Sequence, residues 1–230
     1  MTEQPSSVAN QNNPPTLLDG IMTTRALRRL STTPIPEDVL WEILAAGQQG
    51  PSGGNIQPWQ FLVVRDEATR RGLGEIYSRT YARYEKAMLA VAPPQRPENE
   101  ASWQRTLAAS RHLAQHFGES PAIIAIAMAD ISMELTDEYG PLDVGTAFAS
   151  AYPAVQNLIL AARHHGVGTA LTTVYRIEHD AVRDCLSIPK THQVIALLPL
   201  GYPLGKFGVA KRRPVETVTH WDSWGNKRAR

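Results

Sequence analysis

The chain has 230 residues, near the upper end for one domain and long enough to bury a large core without staples. Its 23 Lys and Arg against 22 Asp and Glu leave a formal net charge of +1, which argues against a nucleic-acid binder and against a membrane-surface protein. The single cysteine, Cys185, excludes an internal disulfide and fits a reducing compartment; within DAVRDCLSIP it reads as a buried structural thiol rather than a nucleophile.

Residues 1–15 are polar, carry no basic start and no apolar stretch, and read as a disordered arm of a cytoplasmic protein. Leu17 to Leu30 reads as a helix ending in the basic turn TTRALRR, broken by Pro34 and Pro36. A second helix opens at Pro36-Glu37-Asp38 with its acids where they complement the dipole, places Val39, Leu40, Ile43 and Leu44 on one face, and stops at Gly50-Pro51. WQFLVVRD (59–66) is strand-like. Glu67 to Gln115 reads as helical, interrupted by a loop at APPQRPENE (92–100), and 67–117 is a candidate lid. The run PAIIAIAMA (121–129) is too short to cross a bilayer as a helix and fits a central strand buried on both faces.

The clearest periodicity spans 143–165. Val144, Phe148, Ala151, Val155, Leu158 and Ala162 mark one helix face, with Asp143 as a cap and Gly166 just past the end. Its many small residues allow another helix to approach closely, and Pro153 should bend it. GTALTTVY then reads as strand into loop, 177–186 as a short helix, HQVIALLPLGY as a strand, and the rest as a basic tail. Helices and strands mix without a regular βαβ repeat, so the order argues for an α+β fold, and no G-x-G-x-x-G opens a helix after a strand.

Two segments carry candidate chemistry. Arg25, Arg28 and Arg29 form either a solvated basic helix end or a guanidinium clamp for a phosphate. In QGPSGGNIQPWQF (49–61), adjacent glycines sit among Ser52, Asn55, Gln57 and Trp59, as in a backbone that approaches a ligand; a plain turn seldom needs that set. His112 and His116 are four apart, but no carboxylate or third histidine follows at a ligand distance, so no metal site is expected. Tyr77, Tyr81 and Tyr84 recur at helical spacing, as core packing or as a lid that stacks on a ligand. Trp221 and Trp224 look like anchors for a tail lying on another surface.

In this order, the basic segment and the PSGGNIQPW loop resemble the nitroreductase family of flavoproteins, and the likeness continues through the central helix, GVGTALTT (166–173), PLGYP (199–203) and AKRRPVETVTHW (210–221). The resemblance implies one domain over 16–230, an α+β three-layer sandwich around a mostly antiparallel sheet, in an intertwined homodimer. The tail (206–230) would wrap the partner subunit, and each FMN would lie between subunits. Arg25, Ala26 and Arg28 match the family's basic segment, Arg25 for the phosphate and Arg28 near the flavin pyrimidine edge. The family usually has a basic residue where this chain has Thr24 and a serine where it has Ala26, so part of the clamp is expected from Arg212, helped by Lys211. Pro51, Ser52, Gly53, Asn55 and Gln57 match the loop supplied by the partner. Leu171, Thr172 and Thr173 match the stretch beside the flavin, where a backbone N–H would face N5.

The resemblance implies an FMN-dependent oxidoreductase that takes hydride from NADPH or NADH and reduces nitroaromatics, quinones or related electrophiles by a ping-pong scheme, with no protein-borne catalytic acid, base or nucleophile. Alternatives are an oxygen-dependent flavin-fragmenting enzyme, a dehydrogenase or reductase for one metabolite, and a low-turnover flavin-binding protein.

Overall fold

The computed structural model describes residues 14–92, 97–130, 135–142 and 146–228. Nearly all of the expected N-terminal arm and the expected Asp143 cap lie outside those residues. A four-stranded sheet in the order β1-β2-β6-β5 is antiparallel throughout, built from β1 (Trp59–Val64), β2 (Ala122–Ala129), β6 (His192–Gly201) and β5 (Gly168–Thr169). A separate hairpin joins β3 (Leu135–Asp137) to β4 (Gly140–Leu142).

Helices cover both faces, which makes three layers. The unbroken apolar run of β2 is explained by its alternation. Ala122, Ile124, Ile126 and Met128 face α2 (Glu37–Gln48) and α5 (Phe148–His164), while Ile123 and Ala125 face the other helix layer. That second layer consists of α3 (Glu67–Val91), α4 (Pro97–His116), a 3-10 turn at Val174–Glu178 and α6 (His179–Cys185). Tyr77 and Tyr81 are core residues there, with Tyr77 stacked on Phe117 at 4.3 Å, and only Tyr84 is exposed. Pro97 opens α4 at the first helical position, so 97–100 belong to a helix and not to the expected loop. Cys185 is half-buried beside the Thr69 carbonyl, and burial pushes its thiol up.

In β6 the pairing slips: Ile126 faces Ala196, but Ala127 faces Val194, so Ile195 is an extra residue. The bulge sends both Ile195 and Ala196 to the α5 face and leaves Val194 on the other. Val194 is held there from outside the sheet. Its carbonyl accepts from Tyr175 at 2.8 Å and Arg176 at 3.1 Å, and its amide donates to His179 Nε2 at 3.0 Å.

The first helix, α1 (Leu17–Thr23), is shorter than the sequence suggests. The hydroxyls of Thr23 and Thr24 donate back to the carbonyls of Asp19 and Gly20, and Thr24 turns extended (φ −73°, ψ 126°). Beyond it the backbone pairs with the sheet edge: Leu27 donates to Thr169, Ser31 donates to Tyr202, and Leu30 bridges Pro203. Arg25 and Arg28 therefore do not share a helix face. No helix among the described residues is long and apolar enough to cross a membrane.

Helices α2 and α5 pack closely because glycines face α5. A Cβ on Gly50 would lie 2.6 Å from the Ala154 nitrogen, and one on Gly47 would lie 2.5 Å from Leu158. Gly50→Ala is expected to destabilise the fold by about 1–3 kcal/mol, seen as a lower urea midpoint with an unchanged slope; an unchanged midpoint would show that the two helices separate freely.

The His179 clamp is pH-sensitive. Burial, then the charges of Arg176 and Arg183, hold the imidazole below its ordinary value against the pull of Asp180. Because the folded value is depressed, the unfolded chain binds the proton more readily. The contribution of His179 is thus complete above about pH 6.5 and declines as pH falls through the lower folded value. Wild type should lose more stability than His179→Gln between pH 7 and pH 5, since a glutamine oxygen accepts the same bond without titrating; parallel losses in urea titrations would contradict this.

Candidate active site

The extended segment Arg25–Ser31 can press against the sheet edge because two glycines leave room. A Cβ on Gly168 would meet Leu27 at 3.0 Å, and one on Gly201 would meet Leu30 at 2.9 Å. Leu27 is buried by this contact, while Arg25 and Arg29 stay exposed and Arg28 is half-buried. Leu204 donates to the Arg29 carbonyl, and Arg25 donates to the Lys206 carbonyl at 3.1 Å, which lays the start of the tail beside the same segment. Phe207 carries the Arg163 guanidinium over its ring at 4.1 Å, which holds the tail to α5.

The outcome is a cleft of about 680 Å³ walled by three pieces of chain. The extended segment contributes Arg25, Ala26, Arg28 and Arg29; the tail contributes Lys206, Lys211 and Arg212; α4 contributes Ser102, Arg105 and Thr106. No Asp or Glu lines it among the described residues. The positive field reaches neighbouring groups: Arg29 and His116 add to burial in holding His112 below its ordinary value. His112 and His116 lie ring to ring at 4.3 Å, and no cluster of three potential metal ligands occurs among the described residues.

The 171–173 stretch follows Thr169, the residue whose carbonyl accepts from Leu27. Thr172 exchanges both backbone hydrogen bonds with Leu197, donating at 3.0 Å and accepting at 3.1 Å. Its buried hydroxyl donates to Tyr77 Oη at 3.0 Å. Burial raises the Tyr77 phenol, and the Thr172 bond and the Arg28 charge oppose that rise, so Arg28, Tyr77 and Thr172 share one neighbourhood. Since the Thr172 amide points into the sheet, the amides of Leu171 and Thr173 point the other way, off its edge. Thr172 itself is committed to the core.

The PSGGNIQPW loop is built differently and lies elsewhere. Gly54 (φ 57°), Asn55 (φ 56°) and Gln57 (φ 47°) are all left-handed, an uncommon conformation for the last two. Internal bonds hold it: the Gln57 amide donates to Ser52 Oγ, the Gly53 amide to Ser150 Oγ, and Gln48 Nε2 to Gln57 Oε1. Trp59 Nε1 donates to Gln48 Oε1 and completes the brace. Pro51, Gly53, Asn55 and Gln57 are exposed, Ser52 is half-buried, and none of them lines the cationic cleft of the same chain.

The structure thus brings together Arg25, Ala26, Arg28, Lys211 and Arg212, and leaves the loop apart within one chain. Sequence reasoning placed Arg29 in the basic cluster but assigned it no separate contact, and it missed Arg105 and Lys206. The alternating register of an extended segment could have implicated Arg29, but nothing near Arg105 in the sequence marks it.

Residues 21–202 match the Nitroreductase family. The chain is 28% identical over 197 residues to NADH dehydrogenase of Thermus thermophilus, covering 86% of this chain and 91% of that protein. It is 25% identical over 224 residues to nitrobenzene nitroreductase of Ectopseudomonas oleovorans, covering 89% and 96%. A solved structure of oxidized iodotyrosine deiodinase, bound to FMN and 3-iodo-L-tyrosine, matches with a TM-score of 0.68 at 21% identity, over 91% of this chain and 100% of that one. At that identity the structural likeness speaks for the fold, and the family match, which runs from α1 to the residue after β6, carries the assignment: this chain belongs to the nitroreductase family.

Proposed function

We propose that the chain is a cytoplasmic FMN-dependent oxidoreductase that takes hydride from NADPH or NADH and delivers it to nitroaromatic, quinone or similar electrophilic acceptors. The observation that carries this reading is the cationic cleft at the sheet edge, where two distant parts of the sequence place Arg25, Arg28, Lys211 and Arg212 around one space. A phosphate monoester fits that donor set, because guanidinium and ammonium groups bind its oxygens by charge-assisted hydrogen bonds.

When bound, FMN supplies the redox chemistry, accepting hydride from the nucleotide and returning it to the acceptor. The chain's residues bind and orient. Arg25, with Arg212 and Lys211, is assigned to the phosphate. Arg28, half-buried and with a charge felt at Tyr77, is assigned to the pyrimidine edge, where cationic charge favours the reduced state. The amide of Leu171 or Thr173 is assigned to the reactive nitrogen. No side chain needs to act as acid, base or nucleophile. Donor and acceptor use the same face in turn, which is a ping-pong scheme.

The loop Pro51–Gln57 enters through a second copy of the chain. Its left-handed, internally braced backbone and its absence from the lining of the cleft of its own chain support a role in the partner's site. Exposed apolar residues support a homodimer as well: Leu17, Leu18 and Met22 on α1, and Trp224 in the tail, are each more than 60% exposed in one chain.

Three measurements test this reading. The purified protein should be yellow, its absorption should bleach anaerobically with NADPH or NADH, and it should recover on adding a nitroaromatic; a bound flavin that neither nucleotide reduces would point to a carrier. Arg25→Ala and Arg212→Ala should each weaken FMN binding by about ten- to a hundred-fold, from contacts of about 1.5–3 kcal/mol. Unchanged affinity in both variants would remove the phosphate assignment. Sedimentation should show a dimer even at high dilution, and a flavin-loaded monomer would sink the shared site.

A further inference from the structure

The cleft is more cationic than one FMN phosphate requires. Seven Lys or Arg side chains line it, and among the described residues no carboxylate does. A phosphate monoester carries about two negative charges at most near neutral pH. Even with a further negative charge on the reduced ring, several cations of the cleft are left without an anionic partner among the described residues, and together they attract a further anion.

The surplus has a location. Ser102, Arg105, Thr106 and Ala109 of α4 recur at helical spacing and form one face toward the cleft. The Thr106 hydroxyl donates to the Ser102 carbonyl at 2.9 Å, so the donors that this face offers a ligand are the Arg105 fork and the Ser102 hydroxyl. This wall comes from a different part of the fold than the clamp residues Arg25 and Arg212 and stands across the space from no acidic group among the described residues.

We infer that the α4 wall is a second anion subsite, centred on Arg105, which takes a phosphate or carboxylate carried by the hydride donor or by the acceptor. The inference rests on the FMN reading of the cleft and deepens it, because it selects charged over neutral members of otherwise matched ligands. The two sources of the anion are the 2′-phosphate that distinguishes NADPH from NADH and an acid group on the acceptor.

The test is equilibrium titration of the FMN-loaded protein, followed by flavin absorbance, with two matched pairs: NADP⁺ against NAD⁺, and 4-nitrobenzoate against nitrobenzene. In at least one pair the charged member should bind about ten-fold tighter or more, and that ratio should fall to about two-fold or less in Arg105→Ala and in the size-retaining Arg105→Gln. FMN affinity should stay as in wild type. A preference in the nucleotide pair identifies the donor as the source, and one in the nitro pair identifies the acceptor; either supports the subsite. Equal affinities within both pairs, or ratios that survive both variants, overturn it. Arg105→Ala that weakens FMN as much as Arg25→Ala, with the ratios unchanged, also overturns it by placing Arg105 in the phosphate clamp. A colourless chain that refuses added FMN fails the cofactor reading itself, and is recognised before any titration begins.

Discussion

The cleft exists because the backbone amides of Leu27 and Ser31 are satisfied at the sheet edge, by the carbonyls of Thr169 and Tyr202. Hydrogen bonding of a buried main chain is close to obligatory, so this pairing fixes where the segment runs before any arginine side chain is placed. Leu27 then points into the core, and the flanking arginines have nowhere to go except outward, over the tail. Gly168 and Gly201 make the approach sterically feasible. The electrostatics of the site are therefore a consequence of packing: like charges that repel are gathered by contacts that do not involve charge.

Thr172 shows the same hierarchy on a smaller scale. Its two backbone bonds to Leu197 extend β5 beyond its two regular residues, and its hydroxyl ties the strand end to Tyr77 of α3. A residue so constrained positions its neighbours. Leu171 and Thr173 flank it on the opposite hydrogen-bonding side of the chain.

Much of the architecture was legible in the sequence, for physical reasons that can be named. Eight successive apolar residues in β2 called for cover on both faces, and the three–four spacing of Ala151, Val155, Leu158 and Ala162 matches the buried face of α5. The cation cluster was half legible, since Arg25, Arg28, Lys211 and Arg212 sit in segments that resemble the family. The reading failed where a tertiary partner decides the outcome. Leu17 to Leu30 reads as one helix up to the prolines, but the sheet edge offered the amides of Leu27 and Ser31 a better partner. The bulge at Ile195 leaves no mark in a run of apolar residues, because both faces of β6 are buried. Arg105 reaches the cleft only through the packing of α3 and α4, which no local pattern encodes.

The sheet also acts as a partition. Among the described residues the buried clusters on its two faces are separate, with α2 and α5 on one side and α3, α4 and α6 on the other. The two helix layers are separated by the whole sheet, and substitutions at sites that share no partner usually act independently. The layer holding α4 can thus drift in sequence without disturbing the α2–α5 layer. A fold divided in this way can change what it recognises on one side while the other side keeps the molecule together.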